Sequence, residues 1–199
     1  ETIAYTYDGE GMRVKRAVTG GATTQFHYGP TGQLLFTTDG AGIVTAIYIW
    51  KGASLAAILA GPDLTSDLRY PLLNHLSSVV AVLTPAGATD TTYAYQPYGA
   101  YFQQAAAGSL DTGLFTFVGG LGVQNEGGGL FYMRNRFYDA NTGSFLQRDP
   151  SGFKGGVNLY AYASSNPYSF IDPNGTDSVW SWIAWGANKT VKAAVTVGA

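Results

Sequence analysis

Residues 130–175 read LFYMRNRFYDANTGSFLQRDPSGFKGGVNLYAYASSNPYSFIDPNG, and the fold is decided there. Tyr132, Phe137, Tyr138, Tyr160, Tyr162 and Tyr168 stand between turn clusters, two of which are Asp-Pro pairs followed by Gly: Asp149-Pro150-Ser151-Gly152 and Asp172-Pro173-Asn174-Gly175. Pro presets φ, Gly supplies positive φ, and the Asp carboxylate accepts N–H groups of its own turn. Two such turns, roughly 23 residues apart with alternating aromatics between them, describe strand, turn, strand, turn.

Working outward, the same grammar recurs. Tyr5-Thr6-Tyr7-Asp8-Gly9-Glu10-Gly11 followed by Arg13-Val14-Lys15-Arg16 predicts a β-hairpin. Phe26–Leu34 repeats it with Gly29 in the Asp place, Tyr48–Leu59 follows, and Tyr93–Gly99 carries Gln96 in the Asp place. Measured on Tyr7, Tyr28 and Trp50, the spacing is roughly 21 residues, a period of repeat architectures. Such units bury their apolar faces only against neighbours, so the chain reads as a ribbon of successive hairpins. Gln103–Leu110 is expected to be an exposed loop. Gly119-Gly120 and Gly127-Gly128-Gly129 are expected to turn the chain.

Composition agrees. Only 12% of the 199 residues are charged, while Gly and Tyr number 27 and 14, which suits β-structure with tight turns. The net charge is −2 with no basic stripe, so nucleic-acid binding has no support. There is no cysteine, hence no disulfide or thiolate metal site. His27 and His75 lack acidic partners at ligand spacing, so packing or surface roles are expected and no metal or cofactor is. No apolar run is long enough to span a bilayer and no signal peptide opens the chain. Past Gly175, residues Trp180, Ile183, Ala184, Ala187, Val191, Ala194 and Val195 fall at helical spacing, predicting a short amphipathic helix within 179–199.

The 130–175 stretch resembles the closing segment of the RHS core domain of bacterial RHS/YD-repeat proteins, which are related to Tc toxin C components and to teneurin YD shells. The resemblance rests on Arg134, Arg136, Tyr138-Asp139, Gly143-x-Phe145, Arg148-Asp149-Pro150, Asn158-x-Tyr160-x-Tyr162, Asn166-Pro167 and Asp172-Pro173-Asn174-Gly175 in that order. His75-Leu76-Ser77-Ser78 followed by Pro85-Ala86-Gly87 and Tyr95-Gln96-Pro97-Tyr98-Gly99 is similar to a further family segment. Ser77 there replaces Gly and Gln96 replaces Asp, each expected to be absorbed by a modest change of turn shape.

The resemblance implies an all-β fold of spiralling antiparallel hairpin repeats: a YD-repeat region over 1–129, a closing plug over 130–175, and the start of a variable C-terminal region over 176–199. It implies a bacterial shell segment, secreted or on the cell surface, that encloses a C-terminal, toxin-like cargo polypeptide. Because Glu1 is not an initiator Met, the chain is expected to be a piece of a longer one. The expected partners are neighbouring repeats of that parent chain, or a second copy, together with the cargo; a monodisperse monomer would contradict this. Adhesion through an exposed face, as in teneurins, is a further alternative.

The family also implies chemistry. Its cores cut their own chain just past the final Asp-Pro-x-Gly-Leu, using aspartates of the two turns and a nearby Arg; the matching residues are Asp149, Asp172 and Arg148, and the bond is Thr176–Asp177. Two close carboxylates do not both ionise cheaply, so one is expected to keep a proton and serve as acid while the other activates water. The tethered bond makes a weak catalyst sufficient, since effective molarities reach about 10⁵ M or more. The residues alone leave another reading: Asp before Pro and Gly is first of all a turn former. Thr176 stands where the family has Leu, so cutting is expected to be slow or absent. Arg134 and Arg136, at alternate positions of one strand, are expected to share a face and to pair with Asp139 or the Asp-Pro carboxylates. The tyrosine ladder is read as cross-strand packing in preference to a sugar-binding face.

Overall fold

A computed structural model describes residues 2–61, 67–106, 113–176 and 179–180 of the chain. Ten antiparallel strands follow one another in sequence order as a single meander: β1 Ile3–Tyr7, β2 Arg13–Val18, β3 Thr23–Tyr28, β4 Leu34–Asp39, β5 Val44–Lys51, β6 Ser54–Ala60, β7 Leu68–Leu73, β8 Val79–Leu83, β9 Thr89–Tyr95 and β10 Tyr101–Ala106. The all-β expectation and the hairpin repeat both hold. Gln103–Ala106, expected to open a loop, instead extends β10 against β9; residues 107–112 lie outside the described residues.

Polar side chains build the turns locally. Asp8 Oδ1 accepts the N–H groups of Glu10 and Met12, Asp39 Oδ1 those of Ala41 and Ile43, and Asn74 Oδ1 those of Leu76 and Ser78. These side-chain bonds replace the ladder bonds that the reversing backbone gives up. Asn74 shows that the hairpin period continues through β7–β8, where no Tyr-x-Tyr-Asp motif marks it. Ser77 keeps a left-handed backbone, φ 61°, so the turn is not reshaped as expected: the serine carries the strained conformation itself.

The five hairpins that turn at one end of the ribbon all shift register beside their turns, at Thr6/Tyr7, His27/Tyr28, Ile49/Trp50, Leu72/Leu73 and Tyr101/Gln103; at the other end only β4–β5 and β8–β9 do, at Thr37/Thr38 and Val82/Leu83. A bulge adds local twist and bends its strand, so a bulge repeated at the same end of five hairpins coils the ribbon in one sense. Side chains alternate across it: on β5, Ala46 and Tyr48 are buried while Ile47 and Ile49 face outward.

The rest of the chain forms a plug packed on the turn ends of the hairpins. It holds a second sheet of β11 Gln124–Gly127, β12 Leu130–Met133, β13 Arg136–Asp139 and β14 Ser144–Phe145, and a two-stranded ladder of β15 Phe170–Ile171 with β16 Val179–Trp180. The Gly runs turn the chain as expected, Gly119–Leu121 as a short 3-10 turn and Gly127–Gly129 between β11 and β12. Val179 and Trp180, expected to begin a helix, are strand; residues 181–199 lie outside the described residues. Phe117, Phe131, Tyr138, Phe145, Tyr162 and Ile171 form the plug core. A second cluster joins Phe115 to Phe26, Leu34, Tyr48 and Leu55 of the ribbon, where the rings of Tyr48 and Trp50 meet Phe115 edge-on at 4.9 and 5.7 Å.

Candidate functional site at the closing corner

The two Asp-Pro turns, apart in sequence, meet around one guanidinium. Arg136 opens β13 with its side chain buried among plug residues. One of its terminal nitrogens, Nη2, lies 3.0 Å from Asp149 Oδ2 and 3.1 Å from Asp172 Oδ2. Its Nε donates to the Gly175 carbonyl at 2.6 Å and Nη1 to the Leu159 carbonyl at 3.1 Å. The guanidinium carbon sits 3.6 Å from the centre of the Phe145 ring. A planar, fixed fork stacked on an aromatic face suits a site that must satisfy several acceptors at once. Gly175 is required by space as well as by its φ of 64°, since a Cβ there would lie 2.8 Å from the Met133 carbonyl oxygen.

The peptide leaving Gly175 is held from both sides. The Thr176 N–H donates to Asp172 Oδ1 at 3.2 Å, and the Thr176 carbonyl oxygen lies 3.1 Å from Ser151 Oγ. Asp149 Oδ1 in turn accepts the Ser151 backbone N–H at 2.7 Å and its hydroxyl at 2.6 Å. Asp149 and Asp172 therefore both form their turns; Asp172 reaches the segment beyond the second turn directly, and Asp149 reaches it through Ser151. Tyr162, fully buried against Asp172, has its hydroxyl pKa pushed up, first by burial and then by that carboxylate. The phenol faces the Asp172 backbone without reaching hydrogen-bond geometry.

The sequence-derived residues separate here. Asp149, Asp172 and Thr176 come together; Asp177 lies outside the described residues. Arg148 is exposed to solvent, and the cation between the carboxylates is Arg136. Alternation along a strand was the signal that pointed to Arg136. Arg134 does not share its face: it sits in the β12–β13 turn with φ 53° and donates to the Gly32 carbonyl of the ribbon. Asp139 is spent on its own turn, accepting from Asn141 and Thr142. Ser151 was passed over because it fills the open position of an Asp-Pro-x-Gly turn, where no residue type is demanded. Of the histidines, His27 stacks on Phe36 and meets Thr38 Oγ1 at 3.2 Å, while His75 is exposed. Among the described residues no cluster of side chains could hold a metal.

A second buried guanidinium clamps ribbon to plug. Arg13, at the start of β2, pairs with Glu126 of β11 and donates to Gln124 Oε1 at 2.5 Å. Its guanidinium lies over Tyr132 and Phe26 at 4.4 and 4.5 Å. Glu126 also takes Arg16 at 3.1 Å and the Tyr5 hydroxyl at 3.1 Å. Beside this clamp a cleft of about 580 Å³ runs between Tyr28, Trp50 and Gln33 of the ribbon and Tyr132, Ile171 and Pro173 of the plug.

A bulged hairpin ribbon with two joined Asp-Pro corners at its turn ends is similar to the β-shells of RHS-containing toxin proteins, and the comparisons with known proteins support that likeness. The chain is 28% identical over 187 residues to the tRNA3(Ser)-specific nuclease WapA of Bacillus spizizenii, covering 92% of this chain and 8% of that protein. It is 26% identical over 221 residues to the double-stranded DNA deaminase toxin A of Burkholderia cenocepacia, covering 88% and 15%. The crystal structure of TcdB2-TccC3-TEV superposes with a TM-score of 0.68 at 25% identity, over 87% of this chain and 9% of that one. The chain thus spans less than a sixth of the length of each of these proteins. No protein-family model matches it.

Proposed function

We propose that this chain is the closing part of a hollow β-shell that encloses a C-terminal, toxin-like polypeptide of the same parent chain. Residues 1–106 serve as wall and 113–175, which take in β11, as plug, while 176–199 opens the variable region. The observation that carries this reading is the seating of the plug on the five hairpins that turn at one end of the ribbon, with β1 and β10 left as edges on which further repeats would pair. Apolar side chains beside the first corner support it: Leu146, Phe153 and Val157 are 53%, 75% and 91% exposed, as expected of surface that the rest of a parent shell or its cargo covers. The relatives, a tRNA nuclease and a DNA deaminase toxin of which this region is a small part, favour a shell that carries a toxin-like cargo over general adhesion, and a secreted or cell-surface setting goes with that reading. Protease treatment of the full parent chain tests the reading. Cargo that resists digestion until the shell is unfolded supports it; cargo digested at the rate of an unstructured tail contradicts it.

A second reading is favoured by the grip on Thr176. The corner is proposed to cut the chain after Thr176, with Asp172 as the carboxylate that takes a proton from water, Asp149 as the acid, and Arg136 holding both in place. The guanidinium between the two carboxylates offsets their mutual repulsion, as a nearby arginine was expected to do. N-terminal sequencing of any C-terminal fragment checks it. A fragment beginning at Asp177 is expected, and one beginning elsewhere would overturn the assignment of the bond.

A further inference from the structure

The hydroxyl of Ser151 touches both ends of a proton path that the two aspartates alone leave open. Its oxygen is 2.6 Å from Asp149 Oδ1 and 3.1 Å from the Thr176 carbonyl oxygen, while its own backbone N–H, 2.7 Å from the same Oδ1, fixes where the side chain starts. A hydroxyl offers one hydrogen and two lone pairs. It therefore accepts from Asp149 while donating to Thr176 when the carboxyl group carries a proton, and donates back to Asp149 when it does not. The Asp149 carboxylate meets Ser151 and Arg136, and it is Ser151 that reaches the Thr176 carbonyl oxygen.

We propose that Ser151 is a further catalytic residue of this chain, its hydroxyl relaying a proton between Asp149 and the carbonyl oxygen of Thr176. The inference rests on the self-cleavage reading. In the addition step, water oxygen bonds to the Thr176 carbonyl carbon and the water's proton passes to the Asp172 carboxylate. The carbonyl oxygen takes the Ser151 hydrogen, and Ser151 takes the proton of Asp149. In the collapse, the C–N bond breaks and the leaving nitrogen takes the proton held by Asp172. One hydroxyl of the intermediate then returns its hydrogen through Ser151 to Asp149. The products are a Thr176 carboxyl group and a new amino terminus, and both aspartates end as they began. Donation toward an oxygen on which negative charge develops favours the transition state over the resting peptide. The relay belongs to this chain and not to the turn motif, because the motif leaves position 151 open.

The experiment is a time course of intact mass for the purified chain, comparing wild type with Asp172→Asn, Ser151→Ala and Ser151→Thr, with urea midpoints measured alongside. Ser151→Ala keeps the backbone N–H that Asp149 accepts, so the turn is expected to survive. The relay predicts a loss in cutting rate of about a hundredfold in Ser151→Ala and recovery to within about tenfold of wild type in Ser151→Thr, which restores the hydroxyl. Ser151→Ala cutting at the wild-type rate, with Asp172→Asn uncut, overturns the relay and leaves the two-aspartate reading in place. Wild type and Asp172→Asn both remaining whole overturns the reading beneath it. Hydroxylamine converting Thr176 to a hydroxamate in wild type but not in Ser151→Ala overturns the relay in favour of a serine ester.

Discussion

The two buried arginines are set in opposite charge balances. At the clamp, Arg13 and Arg16 share the single carboxylate of Glu126. At the closing corner, the single guanidinium of Arg136 is shared by Asp149 and Asp172. Both lie among aromatic rings and both join segments distant in sequence. The clamp has no anion to spare: its one carboxylate is fully used by two cations and a tyrosine hydroxyl. Among the described residues the corner sets two carboxylates against one guanidinium, beside a peptide whose N–H meets Asp172 and whose C=O meets Ser151. A balanced or cation-rich buried cluster is explained by holding the fold together. Two carboxylates on one guanidinium beside a gripped peptide are the arrangement on which the proposed self-cleavage rests.

The comparison breaks most sharply on removal of one carboxylate from each. Glu126→Gln leaves Arg13 buried without its anion and is expected to destabilise the chain by about 3 kcal/mol. Asp149→Asn leaves Arg136 paired with Asp172 and keeps an oxygen for the Ser151 N–H, so about 1 kcal/mol or less is expected. Urea unfolding of both variants measures the difference, and equal losses would remove the distinction between the sites.

High pH should open both regions together. Burial, first of all, pushes Tyr132 beside Arg13 up to about 12 and raises Tyr28 there, and it raises Tyr138 and Tyr162 at the corner. A group whose folded pKa is raised contributes stability that is fully present below its unfolded value, near 10, and is lost as pH climbs through the folded value. Stability is therefore expected to fall between about pH 10 and 12, with tyrosinate absorbance and unfolding rising in one transition. Tyrosinate appearing at pH 10 in a chain that stays folded would show that these hydroxyls are reached by solvent.

How legible these regions were in the sequence differs for a physical reason. The corner announced itself because Pro and Gly write backbone geometry directly into sequence, and because Arg136 alternates with Phe137 along a strand. The hairpin period was legible wherever Tyr-x-Tyr marked it. It was invisible at Leu72-Leu73-Asn74, where Asn74 makes the same turn bonds as Asp8 without the aromatic marker. The clamp was not legible at all, since a buried Arg13 within Arg-Val-Lys-Arg is indistinguishable by pattern from its exposed neighbours, and Glu126 is more than a hundred residues away. Arg148 was taken for the corner's cation because the family resemblance matches an arginine beside the first Asp-Pro. On an extended backbone adjacent side chains point to opposite sides, so adjacency argued against it.

A smaller effect sharpens the account of the ribbon. Ser77→Gly should relieve the left-handed strain at the β7–β8 turn and stabilise the chain by about 0.5–1 kcal/mol, read as a shift in urea midpoint. Destabilisation instead would show that the Ser77 side chain, not its backbone, matters there.

The self-cleavage claim is tested most directly by the intact mass of wild type beside Asp172→Asn after prolonged incubation, each with its urea midpoint. The account predicts a wild-type product ending at Thr176, formed slowly, and an Asp172→Asn chain that stays whole while unfolding near the wild-type midpoint. Two chains that both stay whole, or an Asp172→Asn chain that is cut as fast as wild type, would contradict it.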